Sequence, residues 1–292
     1  MATIVDRNPG DTLQKLHFAI LVPPMMNRAI PILLFCCGLL RLEAQPIRVL
    51  GISQPTDDQA HVSFYGEANR WFSRLTLDGQ IQYDSTTSWD SLNIATLRKY
   101  TVVVFFNGRP EKESQRAAFQ KYMESGGGWL GFHFAGFALT PSDFPQNWDW
   151  YHEQFLGSGS YVSNTWRPTS ARLKNEAPDH PVMKGLPNVF TSTPNEWYRW
   201  QHDLRNRPNI RILCSIDASS FPIGTGPKAT EIWHEGYYPV VWTNQRYRMV
   251  YFNLGHNDMD YQAHPAKTLS RTFGERDIDQ LVLQSLRWVA KH

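Results

Sequence analysis

Three histidines stand just beyond runs of apolar residues. His61 comes in the loop and helix start after Ile47–Ile52, His133 comes directly after residues 129–132, and His256 follows the run 249–254 across Gly255. An imidazole titrates near neutral pH, so it can move a proton, bind a metal or hold a substrate hydroxyl. If these runs are parallel strands, their carboxyl ends share one edge, where ligands bind in open α/β sheets. The three rings then converge on one crevice. The competing reading is three separate capping or packing histidines.

His133 lies in Gly131-Phe132-His133-Phe134-Ala135-Gly136. Small residues around one reactive side chain after a strand resemble a nucleophile elbow, a tight and strained turn. The residue at the tip is His, so covalent acyl chemistry of the Ser or Cys kind is not expected there.

A carboxylate sits among aromatics in Asn195-Glu196-Trp197-Tyr198-Arg199-Trp200. An apolar setting raises a Glu pKa and suits it to acid–base work. Aromatic faces also stack on sugar rings. The expected catalytic residues are therefore His133, Glu196 and His256. The expected substrate-binding residues are His61, Asn107, Asn164, Trp166, Trp197, Trp200, His234 and Asn257. His61, His133 and His256, with Glu196 or Asp258, also make an acceptable nitrogen and oxygen set for zinc or a related ion. No diagnostic ligand spacing accompanies them. His234 is not part of a metalloprotease H-E-x-x-H motif, because position 238 is Tyr. His180, before Pro181, reads as a turn residue, and Cys214 in an apolar run reads as an inert core thiol. No G-x-G-x-x-G or P-loop comes after a strand, so a nucleotide cofactor is not expected.

The elements that must position these side chains show as hydrophobic periods. Ile47–Ile52, 101–106 and 129–132 are continuous apolar runs, predicted as strands buried on both faces. Residues 81–83 form a short strand. Tyr65, Ala68, Phe72 and Leu75 recur at helical spacing up to Asp78-Gly79. Gln115, Phe119, Tyr122 and Met123 mark a second helix, stopped by Gly126-Gly127-Gly128. This alternation predicts a parallel α/β sheet. Further strands are predicted at Ile210–Ile216, 239–242 and 249–254, with the polar turn 243–248 between the last two. A closing helix spans 277–289. Residues 137–208 are rich in Pro, Asn, Trp and Ser, and long loops with short elements are expected.

Hydrophobic residues are 41% of the 292, and 29 basic side chains face 27 acidic ones for a net charge of +2. That composition excludes disorder and gives no basic face for nucleic acid. Three cysteines are too few for a disulfide scaffold, whereas 11 Trp suggest an aromatic-lined site. Residues 29–40 are a short apolar run after Arg28 and before Leu42-Glu43-Ala44. A charged start, a short apolar run and a small residue are the parts of a signal peptide. The run falls short of the roughly 20 residues of a membrane span, so no transmembrane span is expected. Met25 and Met26 lie just upstream, so residues 1–24 read as an over-called start. Residues 1–44 are expected to be absent from a secreted or periplasmic chain, leaving one domain over 45–292. A lipoprotein anchor at Cys36 or Cys37 fits less well, because bulky Phe35 or Cys36 precedes it. A homodimer is the base-rate oligomer.

An ordered set of pieces resembles the ThuA-like family, named for trehalose utilisation. The pieces are the strand 103–107, then Gly126-Gly127-Gly128-Trp129-Leu130-Gly131-Phe132-His133, Asp179-His180-Pro181 with Lys184-Gly185-Leu186-Pro187, Glu196-Trp197-Tyr198, Pro239-Val240-Val241-Trp242 and Leu254-Gly255-His256. The resemblance implies a flavodoxin-like three-layer α/β sandwich with a mostly parallel central sheet, as in class I glutamine amidotransferases. It also implies that His133 stands where those enzymes carry Cys, so amidotransfer does not carry over. Family members often have His-Pro after the loop near Tyr151. Here the region reads Tyr161-Val162-Ser163-Asn164-Thr165-Trp166-Arg167-Pro168, so ligand details of this subgroup differ. The family implies carbohydrate catabolism on disaccharides or their keto forms.

Three functions are consistent with these residues. The first is an enzyme acting on a disaccharide, glycoside or keto derivative by His and Glu acid–base chemistry. The second is a non-catalytic carbohydrate-binding domain. The third is a zinc-dependent hydrolase. The first accounts best for a His and Glu set that stacking alone does not need.

Overall fold

A computed structural model describes residues 46–140, 147–223, 232–257, 259–260, 267–268 and 270–291. The expected leader and the candidate ligand Asp258 lie outside the described residues. The described elements belong to the compact unit Ala44–His292.

The first half alternates strands and helices as its hydrophobic periods predict. Strand β1 (Ile47–Ile52) leads to helix α1 (Gln59–Leu77), and β2 (Ile81–Thr86) to the short α2 (Ile94–Leu97). Then come β3 (Val102–Phe105), α3 (Glu113–Glu124) and β4 (Gly128–Phe132). Residues 150–155 form a single π-helical turn. After it lie β5 (Tyr161–Asn164), β6 (Arg172–Asn175), β7 (Val189–Thr191), β8 (Tyr198–Trp200) and β9 (Ile210–Ile216). The chain closes with β10 (Pro239–Asn244), β11 (Arg248–Phe252), the two-residue strands β12 (Met259–Asp260) and β13 (Lys267–Thr268), and helix α4 (Arg276–Val289).

Nine strands form the main sheet in the order β2-β1-β3-β4-β11-β10-β9-β6-β7. The neighbours from β2 through β11 are parallel, and those from β11 to β7 are antiparallel. The parallel half matches expectation. The antiparallel half is larger than expected, because β6 and β7, inside the stretch read as loops, extend the sheet. Each has only three or four residues and an exposed face, too little for a period to show. The expected turn at 243–248 is also shorter, since Thr243 and Asn244 still belong to β10.

Alternate residues of the central strands feed two cores, as the pleat requires. Val102 and Val104 pack with Phe64, Phe72 and the α4 side chains Ile278 and Leu281. Val103 and Phe105 pack with Phe119, Met123, Tyr151 and Phe155 on the other face. The result is three layers, helix on sheet on helix. The buried face of α1 carries Phe64, Ala68, Trp71, Phe72 and Leu75. Each of its large side chains stabilises the docked helix by roughly 2 kcal/mol. This burial fixes the start of α1 against the carboxyl edge of the sheet.

Candidate functional site

Strands β1, β4 and β11 run parallel, so the segments leaving their carboxyl ends all emerge at one edge. After β1 the chain enters α1 through Asp58, whose Oδ1 accepts the N–H of Ala60 at 2.9 Å and that of His61 at 3.4 Å. This is a helix N-cap, and it leaves Oδ2 facing away from the backbone. His61 sits one turn into the helix, on the same side as the cap. After β4 comes His133, with a φ of 42°. A non-glycine residue in this left-handed region is uncommon, and such strain gathers at functional turns. The turn is tied down by buried neighbours. Tyr251 Oη donates to the His133 carbonyl at 2.7 Å, and the fully buried Arg109 donates from Nη1 to the Phe134 carbonyl at 2.8 Å. After β11 comes His256. Gly255 before it has a φ of 125°, and a Cβ there would lie 2.8 Å from the Phe64 ring.

The three imidazoles meet. Ring centroids are 4.8 Å apart for His61 and His256, 5.2 Å for His133 and His256, and 5.6 Å for His61 and His133. Two carboxylates join them. Asp58 Oδ2 lies 3.6 Å from His256 Nε2 and 4.0 Å from His61 Nε2. Glu196 Oε2 lies 3.8 Å from His256 Nδ1 and 3.7 Å from His133 Nε2. The Glu196 backbone is clamped on both sides. Its N–H donates to the His256 carbonyl at 2.9 Å, and its carbonyl accepts from His133 Nε2 at 3.0 Å. Asn195 contributes by accepting the Gly255 N–H at Oδ1, at 2.9 Å. Asn164 Nδ2 donates to Glu196 Oε1 at 2.7 Å, a short charge-assisted bond that orients the carboxylate.

The protonation pattern is set by burial and neighbours. Burial, and then the charge of His256, push the His61 pKa down to about 3. The same causes hold His133, fully buried, well below its usual value. Because a carbonyl only accepts, the His133 proton sits on Nε2 and its Nδ1 keeps a lone pair. Burial also opposes charge on His256, but contact with Asp58 and the nearby Glu196 outweigh it and raise its pKa. Contact with the His256 ring, against partial burial, holds the Asp58 carboxylate far below its usual range. Of the three rings, His256, between two carboxylates, is therefore the one that takes a proton most readily.

The fold that carries this strained His, Glu196 and His256 at one sheet edge matches known proteins in sequence as well as in space. The profile of the ThuA family, described as trehalose utilisation, matches residues 48–288. This chain belongs to the ThuA family. A protein described as ThuA-like from Bacteroides uniformis is 30% identical, with a TM-score of 0.73 over 86% of this chain and 95% of its own. A second, from Parabacteroides merdae, is 21% identical, with a TM-score of 0.57 over 84% of this chain and 90% of its own. No protein of curated function matches the chain.

Within this ThuA fold the expected site residues separate into two groups. His61, His133, Glu196, His256 and Asn164 come together. Trp166 lies beside them, 61% exposed, its N–H bonded to Asn164 Oδ1 at 3.1 Å. Others are placed elsewhere. Trp197 is fully buried and donates from Nε1 to the Thr169 carbonyl at 2.7 Å, so no sugar stacks on it in this conformation. Trp200 packs edge-on against Trp242 and Tyr251 in the second core. Asn107 is buried and exchanges hydrogen bonds with the Gln54 backbone, joining the loops after β1 and β3. Asn257 accepts Thr272 Oγ1 at 2.8 Å and braces the segment before α4. His234 faces its neighbour Glu235 at 3.8 Å and makes no contact with the cluster.

Sequence reading missed Asp58 and Tyr198. Asp58 carries a usable signal, an N-cap three residues before a histidine. Tyr198, buried, packs tilted against the His133 ring with centroids 4.0 Å apart and sits two residues past Glu196.

Among the described residues, no helix is long and apolar enough to cross a membrane. Cys214 is a free, buried thiol whose pKa burial pushes up, as expected of an inert core cysteine.

Proposed function

We propose that this ThuA-family chain is an exported enzyme of carbohydrate catabolism that moves a proton on a disaccharide, a glycoside or a keto derivative of one. The observation that carries this reading is Glu196 Oε2 lying 3.8 Å from the His256 ring at the shared strand edge, with Asn164 holding the other oxygen. Glu196 is buried but for a 10% exposed side chain, so its carboxyl meets a substrate in a largely dry setting. It gives or takes the proton. In its protonated form, His256 stabilises the oxyanion that forms when a proton leaves a carbon beside a ketone, or when a glycosidic oxygen departs. Trp166 offers an exposed aromatic face for the sugar ring. His133 is fully buried and acts as a positioning residue that holds the Glu196 backbone.

The family description supports a sugar as substrate class. The short apolar run 29–40 before Ala44 supports export.

The test is a turnover assay over disaccharides and their 3-keto forms, comparing the parent with Glu196→Gln. The expected outcome is a fall in kcat of about 100-fold or more, with sugar binding retained, because Gln keeps the shape and loses the proton. Binding without turnover by the parent would instead make the chain a carbohydrate-binding domain.

A further inference from the structure

We infer that Asp58, His61 and His256 form a binding site for one divalent transition-metal ion. The site lies within the proposed reaction centre, and its chemical use rests on that proposal. Its test needs no substrate.

One ligand atom from each of the three residues lies within 4.8 Å of the others. Asp58 Oδ2 is common to both close pairs, 3.6 Å from His256 Nε2 and 4.0 Å from His61 Nε2. Both distances are too long for a hydrogen bond. They are close to the edge of a coordination shell. With metal–ligand bonds of about 2.0–2.1 Å, neighbouring ligands in a tetrahedral shell stand about 3.4 Å apart. Asp58 needs a contraction of only a few tenths of an ångström toward each ring, and the two imidazole nitrogens, within 4.8 Å of each other, close by up to roughly 1.4 Å through side-chain rotation.

The supporting shell is already in place. The helix N-cap pins Asp58 Oδ1 to the N–H of Ala60, which aims Oδ2 at the two rings. His256 turns Nε2 toward Asp58 and Nδ1 toward the Glu196 carboxylate at 3.8 Å. The carboxylate, imidazole and ligand atom stand in the carboxylate–histidine–metal order, with Nδ1 about 1 Å short of a hydrogen bond to Glu196. His61 has a side chain only 9% exposed. Its Nδ1 is buried with no hydrogen-bond partner among the described residues, and its Nε2 has only Asp58 Oδ2. A buried polar ring left without bonds is costly unless something else binds it. Asp58, 47% exposed, keeps the site open to solvent on one side.

Two imidazoles and one carboxylate select a transition ion such as zinc, manganese or iron(II) over magnesium or calcium, which prefer oxygen ligands throughout. Three protein ligands leave positions open for a substrate oxygen. To bind the ion His256 must give up its Nε2 proton, and the ion then replaces the protonated His256 ring as the positive centre of the proposed reaction, with Glu196 as the adjacent proton carrier.

The experiment is a titration of the chelator-treated full chain with Co²⁺ and Zn²⁺, read by calorimetry and by the visible absorption of bound Co²⁺. The expected result is one equivalent bound. Asp58→Asn, which keeps the cap, and His61→Gln, which keeps most of the volume, should each weaken binding by more than about 100-fold. His202→Ala, a control at a histidine paired with Glu153 at 2.8 Å, should bind like the parent. No saturable binding, or binding unchanged by Asp58→Asn and His61→Gln, would overturn the assignment. If metal binding fails while Glu196→Gln still abolishes sugar turnover, the metal site falls and the reaction reading stands. If the metal binds and no sugar turns over, the reverse holds.

Discussion

His133 Nε2 donates to the Glu196 carbonyl at 3.0 Å, and the same nitrogen lies 3.7 Å from the Glu196 carboxylate. One ring therefore fixes both the backbone and the surroundings of the proposed acid–base residue. Because that ring is fully buried and packed against Tyr198, its loss costs stability as well as alignment. His133→Ala should lower stability by about 2–4 kcal/mol, from the cavity and the lost bond. His133→Asn should cost less, since Asn tolerates the left-handed φ of 42°. Both should reduce kcat. Urea unfolding beside turnover checks this, and a stable, fully active His133→Ala protein would remove the ring from the site's support.

Asp58 has two jobs, one for each oxygen. Oδ1 caps α1, and Oδ2 faces His256. Asp58→Ala should lose about 1 kcal/mol of stability through the cap. Asp58→Asn should keep the cap and lose only the charge. In that variant the His256 pKa should fall, because Asp58 is among the groups that raise it. NMR titration of the His256 ring in metal-free protein reads this. An unchanged His256 pKa would mean that Asp58 does not govern its charge.

Much of this was legible in the sequence because it depends on local pattern. The apolar runs at β1, β3 and β4 name buried parallel strands, and parallel strands put His61, His133 and His256 at one edge. The elbow at Gly131–Gly136 was visible from its small residues, and the φ of His133 bears that out. What was hidden depends on long-range contact. Trp197 and Trp166 are both tryptophans beside polar residues, but one ends in the core and the other in solvent. Their neighbours in sequence do not separate them, because burial is decided by strands β5 and β8 pairing across about thirty residues. Asp58 does not stand out in the sequence, because an Asp at a helix start is already accounted for as an N-cap.

Acid should destabilise the fold, with a direction set by histidines. His61, His133 and His152 are each held below their usual pKa, chiefly by burial, so the native state keeps them neutral. Below about pH 6.5 the unfolded chain binds these protons and the native chain does not. Stability is then lost as pH falls, at up to about 1.4 kcal/mol per pH unit for each ring. His256 acts oppositely. Its raised pKa adds stability at low pH that is lost as pH rises through its folded value. Urea midpoints of chelator-treated protein should therefore drop steeply from pH 7 to pH 5.5. A flat profile would show that the three rings are not held neutral.

Asn164 links the carboxylate to the aromatic face, and this allows a kinetic separation. Its Nδ2 holds Glu196 Oε1 at 2.7 Å, and its Oδ1 accepts the Trp166 N–H at 3.1 Å. Trp166 itself is 61% exposed. If the ring only stacks on the sugar, it binds ground state and transition state alike. Trp166→Ala should then raise KM by roughly 5- to 30-fold, about 1–2 kcal/mol, with kcat unchanged. Asn164→Ala removes a charge-assisted bond to the proton carrier, worth about 1.5–3 kcal/mol, so kcat should fall about 10- to 100-fold. Because Asn164→Ala also frees the Trp166 backbone, KM should rise too, by less than in Trp166→Ala. Steady-state kinetics on one turned-over sugar decide between the roles. A Trp166→Ala variant that loses kcat at constant KM would place that ring in the transition state rather than on the binding platform.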